Sequence, residues 1–187
     1  MDRARSPDVE QAAERLHRPR VRAALAAKRA LDVLLAVAML VALLPVLLLV
    51  GVLLVAAGEP RWIERRVRLG RDGEPVGLLR FTELPGGFGR TLERLGAREL
   101  PLLLCVITGR LSFVGPRPLP PGTGAGHTGP RRLMAPGLIG PGQGRGEDGH
   151  GDGALDDAYV TDWTLRGDLR MLVFSRRRAP RPVSTGD

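Results

Sequence analysis

The longest apolar pattern in the chain is Val33 to Gly58, VLLAVAMLVALLPVLLLVGVLLVAAG, 26 residues without a charged side chain. About 20 such residues suffice for a helix to span a bilayer. The run starts too far from the N-terminus, and is too long, for a cleaved signal peptide. Upstream stand Arg18, Arg20, Arg22, Lys28 and Arg29, which by the positive-inside tendency place the N-terminal side in the cytoplasm. Downstream, Arg61, Arg65, Arg66, Arg68, Arg71, Arg80, Arg90 and Arg94 carry the same signal. One straight span would leave one of these flanks outside. Pro45, mid-run, removes a backbone donor and crowds the preceding turn, so it breaks or kinks the helix. Two readings follow: a kinked crossing helix, which membrane proteins tolerate, or a broken re-entrant helix with both flanks on one face.

Around this run the pattern changes repeatedly. Residues 1–27 are polar and arginine-rich, and are expected to form a loose basic arm with a short helix, pressed against anionic headgroups. In WIERRVRLGRDGEPVGLLRF, apolar Val67 and Leu69 alternate with arginines, and Gly70–Gly73 supplies a turn before Val76, Leu78 and Leu79. That predicts a β-hairpin, with Asp72 as a turn residue. From Thr91 to Ile107 the periodicity is helical. Glu99 falls at the start of its second piece, with Pro101 tolerated in the first turn. A carboxylate there is stabilised by roughly 0.3–1 kcal/mol through the helix dipole. It serves either as an exposed, ionised nucleophile or metal ligand, or as a plain helix-start residue.

Residues 115–153 are Gly/Pro-rich loops. They include SFVGPRPLPP, where prolines flank Arg117, and PGLIGPGQGR, which ends on Arg145. A stiffened arginine suits a phosphate clamp, because its bidentate bonds are charge-assisted and it loses less entropy on binding. Neither stretch matches the Walker loop or the dinucleotide-binding glycine pattern. The segment DDAYVTDWTLRGDLRMLVF closes the ordered part. Tyr159 and Trp163, four apart, face a membrane–water interface or pack against the core. Residues 176–187 read as a basic tail.

Composition narrows these options only partly. The 187 residues allow one domain with an appendage. The net charge is +8, almost wholly arginine, with Lys28 the sole lysine. Arginine forks suit phosphates, so nucleic acid, anionic lipid and phosphorylated substrates all remain open. Aromatic content of 4% argues against single-stranded nucleic acid, which stacks on aromatic rings. Cys105 alone cannot form an internal disulfide, and three scattered histidines offer no zinc spacing. The fold class expected is membrane-associated and mainly α with a small β-hairpin. A proline-broken helix over 28–58 would precede a compact domain over 59–175.

In order, these pieces resemble the bacterial sugar transferases, monotopic phosphoglycosyl transferases of polysaccharide and glycan assembly. The resemblance runs from about Lys28 to Phe174. It is carried by KRALD (Lys28–Asp32), RLGRDGEPVGLLRF (Arg68–Phe81), RELPLLLCVITGRLSFVGPRPL (Arg98–Leu119), PGLIGPGQGR (Pro136–Arg145) and DAYVTDWTLRGDLRML (Asp157–Leu172). It implies transfer of a sugar phosphate from a UDP-sugar to undecaprenyl phosphate, with Mg²⁺, at the cytoplasmic face of the inner membrane. It also favours the re-entrant reading of the membrane helix. A carboxylate would attack the β-phosphate, giving a covalent phosphosugar intermediate that the lipid phosphate then takes up.

The family's Asp-Glu pair falls on Arg98-Glu99. Arg98 stands where the nucleophilic aspartate is expected, and a guanidinium cannot be a nucleophile. Glu99 matches the second acid, associated with metal and catalysis. Arg80, Arg117 and Arg145 match phosphate-binding positions. Arg110, Thr82 and Leu44 also depart from the family pattern, and two residues are missing before Gly144-Arg145. Two further possibilities therefore stand beside transfer. One is an inactive member that binds lipid or nucleotide-sugar as a partner of active enzymes. The other is a basic protein of anionic membrane surfaces.

Overall fold

The computed structural model describes residues 6–58, 61–83, 86–94, 96–122, 129–141 and 152–174. Their element order is α1 (Pro7–His17), α2 (Pro19–Ala42), α3 (Leu44–Ala56), β1 (Ile63–Leu69), β2 (Pro75–Phe81), α4 (Gly86–Arg94), α5 (Leu102–Ile107), β3 (Ser112–Val114), β4 (Gly137–Ile139), α6 (Asp152–Thr161) and α7 (Leu165–Phe174). The described chain is thus mainly helical with a small antiparallel strand pair.

The N-terminal arm is not loose. Pro7 opens α1, and Asp8 and Glu10 lie in its first turn, where the positive end of the helix favours them. Val9 and Ala12 are buried. Leu16 packs with Val21 and Leu25 against Met134, Val160 and Trp163. Arg15 donates to the Thr161 carbonyl at the end of α6. The polar composition concealed a narrow apolar stripe that the C-terminal helices cover. Helix α2 begins at Pro19 and runs without a break past residue 28.

The helix breaks at Leu43 (φ −96°, ψ 7°), and α3 restarts with Pro45 in its first turn, where a missing N–H leaves no bond unmade. The two helices are bent by 59°. No single helix among the described residues is long and apolar enough to cross a membrane; the bent pair together is, by length and composition. One side of the pair joins the core through Ala36, Val50 and Leu54, and the other leaves Leu34, Val41, Leu48 and Val52 exposed.

The hairpin forms in the expected place, with Glu64 opposite Arg80, Arg66 opposite Leu78 and Arg68 opposite Val76. Its turn is a short 3-10 turn, Arg71–Gly73, and Asp72 takes a left-handed φ of 55°, which aspartate tolerates better than most residues.

The expected helix over Thr91–Ile107 is in fact three pieces. Gly96 (φ 83°) ends the first turn system, Ala97–Glu99 forms a 3-10 turn, and α5 starts only at Leu102. Glycine reaches that left-handed φ without a Cβ penalty, so the break is local and encoded. From α2, Arg29 donates to the carbonyls of Val106 and Ile107, both at 2.6 Å, and so caps α5.

Strands β3 and β4 pair in parallel, Ser112 with Gly137 and Val114 with Ile139. A Cβ on Gly137 would lie 2.1 Å from the Gly115 nitrogen, so the close approach requires glycine.

A buried polar brace links the membrane-type helix to this domain. Lys28 Nζ donates to Asp168 Oδ2 at 2.7 Å and to the Val114 carbonyl at 2.9 Å, and lies 3.7 Å from Asp32 Oδ2. Asp32 accepts from Ser112 Oγ at 2.7 Å and the Phe113 N–H at 3.3 Å. Asp168 accepts from Tyr159 Oη at 2.8 Å and Trp163 Nε1 at 3.1 Å. Burial, then the negative charge of Asp168, pushes the Tyr159 hydroxyl far above its ordinary pKa. Tyr159 and Trp163 therefore follow the core-packing reading. Trp163 lies just past the end of α6, and its indole N–H is satisfied internally.

Candidate functional site

One face of the hairpin and the loop before α5 enclose a cleft of about 280 Å³. Side chains at 64, 66 and 68 of β1 share a face with their partners at 80, 78 and 76 of β2, because strand side chains alternate. Arg66, Arg68 and Arg80 thereby reach one cavity, with Leu78 between them. Leu102, Leu111, Pro118 and Leu138 supply an apolar wall, and Glu99 is the only carboxylate in the lining.

Arg80 Nη2 donates to Glu99 Oε1, a charge-assisted pair whose partners are 27% and 54% exposed. That exposure limits what the pair contributes to stability. More informative is Arg80 Nε, which is buried and has no hydrogen-bond partner among the described residues. A donor left unmet in a cleft of three arginines is what an anion would satisfy. With three guanidinium groups and one carboxylate, the apolar walls concentrate a positive field there.

Arg98, adjacent in sequence, turns elsewhere. Its Nε donates to the Phe81 carbonyl at 3.1 Å, and its guanidinium lies 3.6 Å from Glu64, 3.9 Å from Glu83 and 3.8 Å from Glu93. It locks the end of β2 to the 3-10 turn inside an acidic ring. Glu99 and Arg80 therefore meet in the cleft, whereas Arg98 is not among its lining residues and shares the Glu64 carboxylate with Arg66, 3.7 Å from it.

Arg117 does not line this cleft, although Pro118 does. Its N–H donates to Asp156 Oδ2 at 3.0 Å, and its carbonyl accepts from Arg131 at 3.2 Å. Arg131 and Asp156, both buried, are paired at 2.5 Å, so the backbone at Arg117 is pinned to α6. Arg145 lies outside the described residues. Pro45 acts on the helix break and is not among the residues lining the cleft.

Two residues of the cleft were not singled out from sequence. Arg66 and Arg68 were read as the polar half of an alternating strand, and only the register with Arg80 turns them into a cluster. The period-two spacing of Arg66, Arg68 and the family-matching Arg80 was the available signal.

The Mg²⁺ that the resemblance implies finds little here to hold it. The described residues contain no group of three or more His, Cys, Asp or Glu side chains placed around one point. Mg²⁺ is held by one or two carboxylates together with substrate phosphates. The cleft's one carboxylate is already engaged by Arg80. Among the described residues Glu99 is the one carboxylate lining the cleft, and no step below passes through a metal.

Residues 86–178 match the bacterial sugar transferase family. UDP-glucose:undecaprenyl-phosphate glucose-1-phosphate transferase of Escherichia coli (strain K12) is 30% identical over 109 residues, 49% of this chain. The chain spans only 24% of that protein's length. Exopolysaccharide production protein ExoY of Sinorhizobium fredii (strain NBRC 101917 / NGR234) is 29% identical over 187 residues, covering 79% of this chain and 82% of that protein. With its motifs in order, the chain belongs to the bacterial sugar transferase family.

Proposed function

We propose that this protein works at a membrane surface on the family's reaction, with the cleft of Arg66, Arg68, Arg80 and Glu99 binding the diphosphate of a UDP-sugar. The observation that carries this reading is the buried, unmet Nε of Arg80 beside the cleft's only carboxylate. A diphosphate drawn onto Arg80 competes with Glu99 for that guanidinium and frees the carboxylate next to the phosphorus. A Glu99 oxygen then forms a bond to the β-phosphorus while the bond to the UMP oxygen breaks. The acyl phosphosugar passes its phosphoryl group to an oxygen of polyprenyl phosphate, and the carboxylate is regenerated. The arginines offset the negative charge gathered at phosphorus. The acceptor's lipid tail would be met by the exposed apolar side of the bent helix pair, on the cytoplasmic face of the inner membrane.

Arg98 favours a second reading, binding without transfer. The position that resembles the family's nucleophile carries a cation, which is tied to the Phe81 carbonyl and to Glu64 and Glu93 and does not line the cleft. The protein would then bind nucleotide-sugar or lipid as a partner of active enzymes.

One experiment separates the two. Purified protein is assayed for binding of UDP-sugar and of undecaprenyl phosphate, and for transfer of labelled sugar phosphate between them, with and without Mg²⁺, beside Glu99→Gln and Arg80→Gln. Turnover abolished in Glu99→Gln supports transfer. Binding without turnover, weakened about tenfold or more in Arg80→Gln, supports the second reading. A protein that binds neither UDP-sugar nor undecaprenyl phosphate, or binds UDP-sugar equally well without Arg80, overturns both.

A further inference from the structure

A second cationic groove, of about 540 Å³, lies where α1 and the start of α2 meet the hairpin turn and the short 3-10 turn Pro130–Leu133. It shares no lining residue with the Arg80 cleft. Leu16, Leu25 and Met134 give it an apolar wall, and Arg22, Arg71 and Arg132 line it from three separate elements. Asp72 is the only carboxylate in the lining.

Two features set this groove apart from a solvated basic surface. First, Arg132 Nε is buried and has no hydrogen-bond partner among the described residues, the same signature that Arg80 shows in the first cleft. Second, its neighbour is already fixed: Arg71 Nε donates to the Leu133 carbonyl at 3.0 Å, which leaves its terminal nitrogens to work outward from an anchored stem. No ion pair engages Arg22, Arg71 or Arg132 among the described residues. Three guanidinium forks against a low-dielectric wall focus a positive field, and a buried N–H with no acceptor is stabilised by one that arrives from outside.

We propose that this groove is a second phosphate-binding site, filled by a phosphate monoester whose organic part lies on the Leu16–Leu25–Met134 wall. The chemistry is the same whether the phosphate belongs to a lipid headgroup or to a soluble molecule. The inference does not depend on the function proposed for the first cleft.

The test uses the full chain carrying Arg66→Gln, Arg68→Gln and Arg80→Gln together, which strips the first cleft of its arginines. In uncharged detergent, inorganic phosphate is titrated calorimetrically. In parallel, the protein is floated with phosphatidylcholine vesicles that contain or lack phosphatidic acid. Arg132→Gln and the exposed Arg22→Gln are compared with Arg90→Gln, an exposed arginine on α4 far from the groove's lining. Loss of phosphate affinity by about tenfold or more in Arg132→Gln, and by less in Arg22→Gln, identifies a soluble source. No phosphate heat, with phosphatidic-acid flotation lowered in both groove variants and unchanged in Arg90→Gln, identifies a lipid source. Arg22→Gln keeps the proposal testable if Arg132→Gln does not fold. The proposal is overturned if the groove variants match Arg90→Gln in both arms.

Discussion

Replacing Lys28 by methionine tests whether the polar brace holds the bent helix pair to the rest of the protein. Methionine keeps an unbranched side chain, one atom shorter, and deletes its charge. The ammonium sits 2.7 Å from Asp168, and the two side chains are 9% and 3% exposed, so solvent does little to screen the pair. Deletion leaves Asp168, with Asp32 beside it, as buried carboxylates without a cation. Breaking a buried pair from one side costs about 3–5 kcal/mol, because the stranded charge is not rehydrated. That is a large share of the total stability of an ordinary domain. The assay is denaturant unfolding in detergent in a Trp62→Phe background, followed by the fluorescence of Trp163, whose indole N–H donates to Asp168. The triple variant Lys28→Met, Asp32→Asn, Asp168→Asn should be less destabilised than Lys28→Met alone, since amides need no counter-ion. A Lys28→Met cost below about 1 kcal/mol would refute the brace.

Three further outcomes follow from the geometry. Tyr159 is the only tyrosine in the chain, so tyrosinate absorbance reports on one group. Its pKa is raised in the folded state, so the stabilisation is complete below the unfolded value of about 10 and is lost as pH rises beyond it. Absorbance should therefore change together with alkaline unfolding, and a tyrosinate signal from still-folded protein near pH 10 would contradict this. Arg98→Asp should destabilise by about 2–3 kcal/mol, through the lost charge-assisted bond to Phe81 and a new carboxylate beside Glu64 and Glu93. Adding Glu64→Gln should recover part of that loss in the same melt. Gly137→Ala should cost at least about 1–3 kcal/mol, since its methyl meets the Gly115 backbone, which cannot rotate away; an unchanged melting curve would show that β3 and β4 are not so close.

What could be read in advance depended on how local the signal was. The hairpin was legible because alternation and turn chemistry are neighbouring-residue effects, and the register follows once Gly70–Gly73 closes the turn. Pro45 located the helix break to within two residues for the same reason. The arm was misjudged because Val9, Ala12 and Leu16 look sparse in sequence, yet Val9 and Ala12 are buried and Leu16 packs against Met134 and Trp163, far along the chain. The parallel pairing of Ser112 with Gly137 bridges a Gly/Pro-rich stretch whose composition carries no strand signal. At the cleft, Arg80 and Glu99 were named from the resemblance, but their mutual pairing was not. Nor could adjacency in sequence show that Arg98 and Glu99 would take different partners, Arg98 the Phe81 carbonyl and Glu64, and Glu99 the Arg80 guanidinium.

The 59° bend also fixes how deep the helix pair could reach. Helix α3 has 13 residues, about 20 Å at a rise of ~1.5 Å per residue. With its apex directed into a bilayer and its two arms sharing the bend equally, each arm lies about 60° from the normal. The apex then sits about 10 Å below the point of entry, short of the ~15 Å that one half of the hydrocarbon layer measures. In that orientation such a wedge would add cross-section to a single leaflet and would not meet the opposite one. Hydrophobic mismatch, which sorts spanning helices among bilayers of different thickness, would not act on it. Its partitioning would answer instead to how tightly the lipids of that one leaflet are packed, and so to curvature.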